Sequence, residues 1–494
     1  MWLLTLLILL LLILYKYIVG SYEYWKKRGV PNPPASLLFG NMTDSLLVKK
    51  SLGQLYAQVY NDFPNLRYVG FYKIREPAIV VRDAELIKNM LVKDFSSFHD
   101  NDFHVDEETD PIFGKNPFTL KGERWKYARN QLTPCFTIKK LKTMFPLIDE
   151  IGKKLIKYLN QSNLDEIEAK KLSTKYTTEC VASCLFGIEG NSFEEEKGEL
   201  LKIGELIFTP SMMLAIKHLI VIILPVLGNY LNFKFVPDEV TQYFKVLIGK
   251  SLKYRNENKI VRGDFLDNMR ELKLKLGDDN FTDDDIVAHA GGLFGDGIET
   301  SSIGLSFILF ELAVNIEVQE RLRKCLDDVL AKNNGEFTYE DVIGNSYLDA
   351  VFKESLRLHP PFPYLAKVCT KDFKLPSPYY GDESHTVEIK KGLPIFIPTY
   401  AVHRDPKYYI NPEKFMPERF LDDNKNPFWS FGDGPRFCIG EKFANTQVKT
   451  FIAYVITNFE IRLMNKTKLP LKIDPKYFLL KASDGIWLNF SKRK

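Results

Sequence analysis

The sequence lacks paired cysteines, long linkers and strong charge of one sign. Its six cysteines are scattered from Cys135 to Cys438 with no CxxC pair, which argues against a disulfide framework and a cysteine-rich zinc site. No Gly/Ser-rich or low-complexity stretch interrupts residues 50–494, so one large domain is favoured over a string of modules. The formal net charge is only +4 with mixed signs, and no basic arm indicates nucleic-acid binding.

A long apolar run is present at the amino terminus. Residues 2–19 are almost wholly apolar and would form a helix of about 27 Å, enough to cross a thin bilayer. Basic residues follow the run at 26–28 and no small-residue cleavage site is present, which predicts an uncleaved transmembrane anchor at residues 1–20. The positive-inside rule then places the rest of the chain in the cytosol, after a basic and proline-rich linker at residues 21–40.

A second apolar stretch runs from Met212 to Leu227. It contains Lys217 and Pro225, and it is too short and too interrupted for a second span. Two interpretations stay open: a core segment, or an amphipathic segment that dips into the membrane surface.

The most informative motif is FGDGPRFCIG, which runs from Phe431 to Gly440. Glycines on both sides of Cys438 predict a loop whose amide N–H groups can point at the sulfur and stabilise a thiolate. Arg436 places a permanent cation on the same loop, suitable for a carboxylate such as a haem propionate. Taken alone, Cys438 could equally be a buried cysteine in a glycine-rich turn.

The full pattern FxxGxRxCxG, read at Phe431, Gly434, Arg436, Cys438 and Gly440, resembles the haem-binding loop of the cytochrome P-450 superfamily. The resemblance implies that Cys438 is the thiolate ligand of the iron of haem b. It also implies a mainly α fold with small β-sheets, in which residues 41–494 form a single catalytic domain. A thiolate ligand favours cleavage of the O–O bond.

Two further segments extend the resemblance. Glu354 and Arg357 lie three residues apart on a predicted helix, where they can form an ion pair. The resemblance implies that Arg419 joins them in a buried structural network. Trp125 and Arg129 share a helical face, and the family pattern assigns both to a haem propionate.

A long helix is predicted from Thr282 to Asn315, and it opens with a capping box of Thr282 and Asp285. Its glycine-rich middle predicts a bulge or local widening. By resemblance this stretch forms the wall above the haem, where Thr300 and Glu299 deliver protons to the reacting oxygen.

Two positions depart from the commoner family pattern. Lys367 stands where an arginine usually clasps a propionate; it keeps the charge but cannot form a bidentate pair. Asp296 stands where a small residue usually lines the pocket, and a carboxylate there is costly unless it is solvated, paired or protonated. Three uses of Asp296 stay open: recognition of a polar or cationic substrate group, a water-mediated structural role, or an ester bond to a haem methyl.

The function implied by the resemblance is NADPH-dependent insertion of one oxygen atom into a small apolar substrate. No nicotinamide or flavin fold is visible, because Gly295-x-Gly297 lacks a preceding strand and a third glycine. Electrons would therefore come from a separate NADPH-cytochrome reductase, with cytochrome b5 as a second candidate partner. The implied location is the cytosolic face of the endoplasmic reticulum membrane, and details such as Glu299-Thr-Ser-Ser302 look most like insect detoxification enzymes.

Two alternatives stay open from the sequence. One is a haem-thiolate isomerase or dehydratase that acts on hydroperoxides, although such branches tend to lose the acid and alcohol pair at Glu299 and Thr300. The other is a non-catalytic haem sensor.

Overall fold

Helices dominate the chain, in agreement with the predicted fold class. The computed structural model describes residues 20–194, 198–209, 211–422 and 426–493, together with positions 2, 5, 6, 9 and 16. In this part of the chain 54% of the residues are helical, and the sheets are small.

The first half of the described chain contains α1 (Thr43–Leu46), α2 (Leu52–Asp62), α3 (Ala84–Lys88), α4 (Phe95–Phe98), α5 (Pro111–Gly114), α6 (Gly122–Leu132), α7 (Ile138–Gln161), α8 (Ala169–Val181), α9 (Glu199–Phe208), α10 (Met212–Ile223) and α11 (Pro225–Tyr230). The second half contains α12 (Asp238–Asn258), α13 (Phe265–Leu276), α14 (Asp283–Val314), α15 (Ile316–Lys332), α16 (Tyr339–Ile343), α17 (Ser346–Leu358), α18 (Thr399–Val402) and α19 (Glu441–Asn458). Short 3₁₀ turns lie at Lys26–Arg28, Thr133–Phe136, Pro417–Phe420 and Gly434–Arg436, and π turns at Asn89–Lys93 and Ala182–Phe186.

The strands form three sheets. They are β1 (Tyr68–Lys73), β2 (Glu76–Val81), β3 (Asp100–Asn101), β4 (Ile167–Glu168), β5 (Leu365–Val368), β6 (Phe373–Pro376), β7 (Thr386–Ile389), β8 (Pro394–Ile397), β9 (Phe459–Leu463) and β10 (Trp487–Lys492). The largest sheet has the order β1-β2-β8-β5-β3. Only its β2–β8 pair is parallel. The others have the orders β4-β10-β9 and β6-β7.

The long helix α14 crosses the largest core cluster and packs most extensively against α8. The predicted capping box is confirmed: the Thr282 hydroxyl accepts from the Asp285 N–H, and the Asp285 carboxylate accepts from the Thr282 N–H. The predicted bulge is wrong, because the helix is α throughout. Gly291, Gly292 and Gly304 are buried against neighbouring residues, and this tertiary packing compensates for their low helix propensity.

Among the described residues, α14 also has the length and hydropathy of a membrane span, but 83% of its most apolar window is buried inside the protein. It is therefore read as a core helix. Helices α9 and α10 reach the length and hydropathy of a membrane span only when they are taken as one segment, and a bend of 65° separates them. The predicted anchor at residues 1–20 lies outside the described residues, apart from isolated positions.

The proline-rich linker assigned to residues 21–40 is partly packed onto the domain. Trp25 is fully buried in a cluster with Tyr72, and its indole N–H donates to the carbonyl of Phe71 at 3.0 Å. Residues 25–30 therefore lie against β1 rather than standing clear of it.

The apolar stretch from Met212 to Leu227 forms α10 and the start of α11, and it has two faces. Ala215, Val221 and Ile223 are buried. Met213 and Val226 are exposed by 69% and 82%. The stretch thus contributes to the core and also presents apolar side chains at the surface.

Candidate active site

A cavity of about 300 Å³ lies between α14 and the loop that contains Cys438. Most of the side chains that line it are apolar. Nine of the residues singled out from the sequence line it: Trp125, Arg129, Asp296, Thr300, Lys367, Phe431, Arg436, Cys438 and Gly440. The chain thus brings together residues that are more than three hundred positions apart.

The backbone of the cysteine loop is fixed by close packing. Gly434 has a positive φ of 65°, and a Cβ atom there would lie 2.0 Å from the carbonyl oxygen of Leu91. Only glycine fits this position. The N–H of Cys438 donates to the carbonyl of Phe431 at 2.8 Å, which closes the loop just before α19 begins.

The Cys438 thiol faces the cavity from deep inside the protein. Its side chain is exposed, yet burial raises its pKa to about 11, with the backbone N–H of Gly440 acting in the opposite direction. These observations agree because the exposed surface is that of the internal cavity. The thiol is accessible to a ligand in the cavity, and a bound metal would deprotonate it.

Arg436 lies beside the cysteine as a buried cation. Its side chain is 2% exposed, and its guanidinium donates to the carbonyl of Leu120 at 2.6 Å and to Asp100 at 3.3 Å. Burial lowers the pKa of Arg436 to about 10. Its Nε has no hydrogen-bond partner within the described part of the chain.

Lys367 adds a second buried cation to the same side of the cavity. The residue is 6% exposed, and its ammonium donates to the side-chain oxygen of Asn101 at 2.9 Å. Burial lowers the pKa of Lys367 to about 7, and the nearby charge of Arg436 adds to this effect. Two buried cations with one nearby carboxylate, Asp100, form a site that favours an anion.

Trp125 and Arg129 line the cavity together with Arg436, and each takes part in a contact between a guanidinium group and an aromatic ring. The Arg436 guanidinium lies 4.5 Å from the centroid of the Trp125 ring, and the Arg129 guanidinium lies 4.8 Å from that of Phe437. The two residues line the cavity from α6, as their spacing on one helical face predicts.

Glu354, Arg357 and Arg419 form one buried network. Arg357 forms a bidentate pair with Glu354 at 2.7 and 2.9 Å, and both side chains are fully buried. Arg419 donates to the same carboxylate at 3.2 Å. Arg357 also donates to the carbonyls of His403 and Pro412 at 2.7 Å each, so it ties α17 to the segment that precedes the loop.

Thr300 and Glu299 point in different directions. Thr300 lines the cavity, and its hydroxyl donates to the carbonyl of Asp296 at 2.6 Å. Glu299 is 3% exposed, does not line the cavity, and accepts hydrogen bonds from Lys170 and Tyr477 at 2.8 Å each. Successive residues of an α-helix diverge by about 100°, so the two cannot share one face.

Asp296 lies in the cavity wall one helical turn before Thr300. One of its oxygens accepts from the side-chain amide of Asn116 at 2.8 Å. Burial raises the pKa of Asp296 to about 6, and the hydrogen bond from Asn116 opposes this effect. Asn116 was not found from the sequence, because it lies on a loop 180 residues earlier and belongs to no local motif.

Comparison with known proteins identifies the family. The family model described as Cytochrome P450 matches residues 30–489. The chain belongs to the cytochrome P450 family. Its relatives include cytochrome P450 6k1 of Blattella germanica, 36% identical over 99% of this chain and 97% of that protein. Cytochrome P450 9e2 of the same species is 35% identical over 98% of this chain and 96% of that protein. Probable cytochrome P450 6g2 of Drosophila melanogaster is 33% identical over 97% of this chain and 98% of that protein.

Family membership confirms the predicted family and the predicted cofactor. The insect origin of these relatives confirms the predicted likeness to insect enzymes. The P450 family uses haem b and takes electrons from NADPH through a reductase, which implies a haem-thiolate monooxygenase. The cavity fits this cofactor: Cys438 offers a thiol that a bound metal would deprotonate, and Lys367 and Arg436 are buried basic groups whose charge the propionates would favour. The unpartnered Nε of Arg436 is a donor that a propionate could satisfy.

Replacing Lys367 by methionine is expected to weaken haem retention in this P450. The variant removes one buried cation from the site that we assign to the propionates, and we expect haem loss to be about tenfold faster. Haem transfer to apomyoglobin measures this rate. Lys374→Met, which removes an exposed lysine in β6, serves as the control and should lose haem at the wild-type rate. Equal rates for the wild type and Lys367→Met would contradict the assignment.

Proposed function

We propose that this P450 is a membrane-bound monooxygenase that inserts one atom of O₂ into an apolar organic substrate, with electrons from NADPH delivered by a separate reductase. The observation that carries the proposal is the position of the Cys438 thiol in a mainly apolar cavity whose wall contains Thr300. Apolar walls favour an apolar substrate and exclude water from it.

The chain prepares the site before any cofactor or substrate binds. Burial raises the pKa of Cys438 to about 11, so the sulfur is a thiol before a metal binds; the N–H of Gly440 opposes this effect and would stabilise the thiolate of the bound state. The buried network of Glu354, Arg357 and Arg419 fixes the segment before the loop. Haem bound through that thiolate supplies the electron density that favours O–O cleavage. Lys367, Arg436, Trp125 and Arg129 would hold the haem edge.

Thr300 is the residue that we assign to proton delivery. Its hydroxyl donates to the carbonyl of Asp296, so its oxygen can accept a hydrogen bond from water in the cavity and keep that water in place for proton delivery. Glu299 acts from behind the wall, where its bonds to Lys170 and Tyr477 fix the helix at this point. The sequence predicts that Glu299 helps to relay protons, and that role stays a prediction for a carboxylate that does not line the cavity.

The Thr300→Ala variant is expected to lose coupling between NADPH use and product formation. Without the hydroxyl, proton delivery becomes disordered and reduced oxygen leaves as hydrogen peroxide. We expect product per NADPH to fall at least about tenfold while NADPH consumption continues. Ser302→Ala removes a buried hydroxyl on the same helix that bonds to the carbonyl of Glu299, and it should keep the wild-type coupling. Unchanged coupling in Thr300→Ala would remove Thr300 from the mechanism.

Reconstitution tests the proposed reaction. The purified holoprotein is supplied with NADPH-cytochrome reductase, NADPH and a panel of apolar compounds, with and without cytochrome b5, and in parallel with fatty-acid hydroperoxides alone. A monooxygenase forms hydroxylated products that carry label from ¹⁸O₂ and require NADPH. Turnover of hydroperoxides without NADPH would instead favour the isomerase or dehydratase alternative, and haem loading without either reaction would favour a sensor.

We also propose attachment to the cytosolic face of the endoplasmic reticulum membrane. The support is the apolar run at residues 2–19 and the exposed apolar side chains of α10 and α11, among them Met213, Val226 and Tyr230. Such side chains favour contact with lipid beside an anchor. Cell fractionation tests attachment, and a protein that lacks residues 1–20 yet stays partly on vesicles would support the second contact.

A further inference from the structure

The carboxylate of Asp296 lines the cavity without a paired cation among the described residues. It forms no ion pair with any described residue, and only one of its oxygens accepts a hydrogen bond, from Asn116. The other oxygen, Oδ1, accepts none from the described part of the chain, and Asp296 is one of the residues that line the cavity. A carboxylate in an apolar cavity is costly unless a partner compensates it.

Asn116 orients this carboxylate without neutralising it. The Asn116 side-chain oxygen accepts from the N–H of Phe118 at 2.8 Å, so its amide nitrogen must face Asp296. Asn116 is 4% exposed, and the loop packs close to α14, where a Cβ on Gly292 would lie 3.0 Å from the Asn116 nitrogen. Asp296 is therefore held by a neutral donor at one oxygen, while the other oxygen has no hydrogen bond from the described residues.

The cations near Asp296 form no ion pair with it among the described residues, and Arg129, which lines the same cavity, lies 4.8 Å from the centroid of the Phe437 ring. Lys115 pairs with Asp285 at 2.5 Å, Lys367 donates to Asn101, and Arg436 donates to Asp100. His289 lines the cavity two turns before Asp296, but burial lowers its pKa to about 4, so it is neutral at physiological pH.

A nearby cation would favour the charged form of Asp296. Burial raises the pKa of Asp296 to about 6, and a cation beside the carboxylate would lower it again. A cation that enters the cavity would be attracted to this carboxylate and would compensate its burial.

We propose that Asp296, positioned by Asn116, selects substrates that carry a cationic nitrogen on an otherwise apolar body. The inference rests on the proposed function and refines it by naming the substrate class. Apolar walls bind the body of such a molecule, and the free oxygen of Asp296 fixes the end that bears the charge. Substrates of the same shape without the charge bind more weakly.

A matched pair of probes tests this selection. Octyltrimethylammonium carries a permanent cation that cannot coordinate iron, and 2,2-dimethyldecane is its neutral counterpart of the same shape. Binding of each to the ferric holoprotein is measured by spectral titration and by equilibrium dialysis. We expect the wild type to bind the cation about tenfold more tightly than the neutral probe.

Two variants isolate the charge. Asp296→Asn keeps a carbonyl that can accept from Asn116 but removes the charge, so it should lose the cation preference and keep its affinity for the neutral probe. Asp296→Glu should retain a preference for the cation. A wild type without cation preference, or an Asp296→Asn variant that keeps it, would overturn the proposal.

Acid extraction of the haem supplies an independent outcome. Haem that extracts freely leaves Asp296 available for a ligand and supports the proposal. Haem that stays on the wild type but extracts from Asp296→Asn would show an ester bond between haem and Asp296. Such a bond leaves no carboxylate for a substrate and would overturn the proposal. The proposed function is judged separately, from the carbon monoxide spectrum and NADPH-dependent turnover, so its failure is distinguishable from loss of cation selection.

Discussion

Replacing Cys438 by serine is expected to abolish NADPH-dependent turnover and the red-shifted carbon monoxide band of thiolate-ligated haem. The side chains have similar size, so the loop closed by the Cys438 N–H and the Phe431 carbonyl should persist. The sulfur alone supplies the electron release that favours O–O cleavage. Optical spectra of the reduced carbon monoxide complex and product formation with reductase measure the two losses.

The control for this variant is Cys325→Ser. Cys325 is a free, partly exposed cysteine on α15 and does not line the cavity. We expect its variant to keep both the spectrum and the turnover of the wild type. A Cys438→Ser protein that kept either property would show that the thiol at this position is not the ligand.

Replacing Arg357 by methionine is expected to destabilise the protein by about 3–5 kcal/mol. Glu354 and Arg357 are both fully buried, so the variant leaves a buried carboxylate whose remaining cationic partner is Arg419. It also removes the donors to the carbonyls of His403 and Pro412. Such a loss is large beside the stability of about 5–15 kcal/mol typical of proteins. Denaturant unfolding and haem content per chain measure it.

The matched control is Arg493→Met. Arg493 also forms a bidentate pair, with Asp327 at 2.8 and 2.7 Å, but both side chains are 37% exposed. Water can hydrogen-bond the separated charges of an exposed ion pair, so its loss costs little stability. We expect Arg493→Met to lower the free energy of unfolding by less than about 1 kcal/mol. Equal costs for the two variants would show that the network around Glu354 does not depend on burial.

The sequence predicted the parts of the site that depend on local patterns. The FxxGxRxCxG loop and the ExxR pair each lie within a few residues, and their spacing and glycines carry the signal. The family and the mainly helical fold were predicted in the same way and are confirmed. The capping box of α14 is confirmed because it too depends only on residues three apart.

The sequence failed where long-range packing decides. The glycine-rich middle of α14 predicted a bulge, but packing on both sides keeps it α-helical. The role predicted for Glu299 in proton relay stays a prediction, but the sequence did not reveal that its carboxylate lies against Lys170 and Tyr477. The partner of Asp296 is Asn116, from a distant loop, so no single-segment pattern could reveal it.

The same limit applies to the buried cations. Arg436 and Lys367 were assigned to the propionates from the family pattern, but Asp100 and Asn101, which hold them, were not anticipated. These two residues form the short strand β3, whose neighbour in the sheet is the strand that carries Lys367. Such a pairing across more than 260 residues leaves no local signal in the chain.

The most direct test of the account is the absorption spectrum of the purified protein after reduction and exposure to carbon monoxide. We predict the red-shifted band of thiolate-ligated haem, with close to one haem per chain. A folded, haem-loaded protein that showed instead the band of histidine-ligated haem would contradict the assignment of Cys438 as the iron ligand, on which the proposed reaction depends.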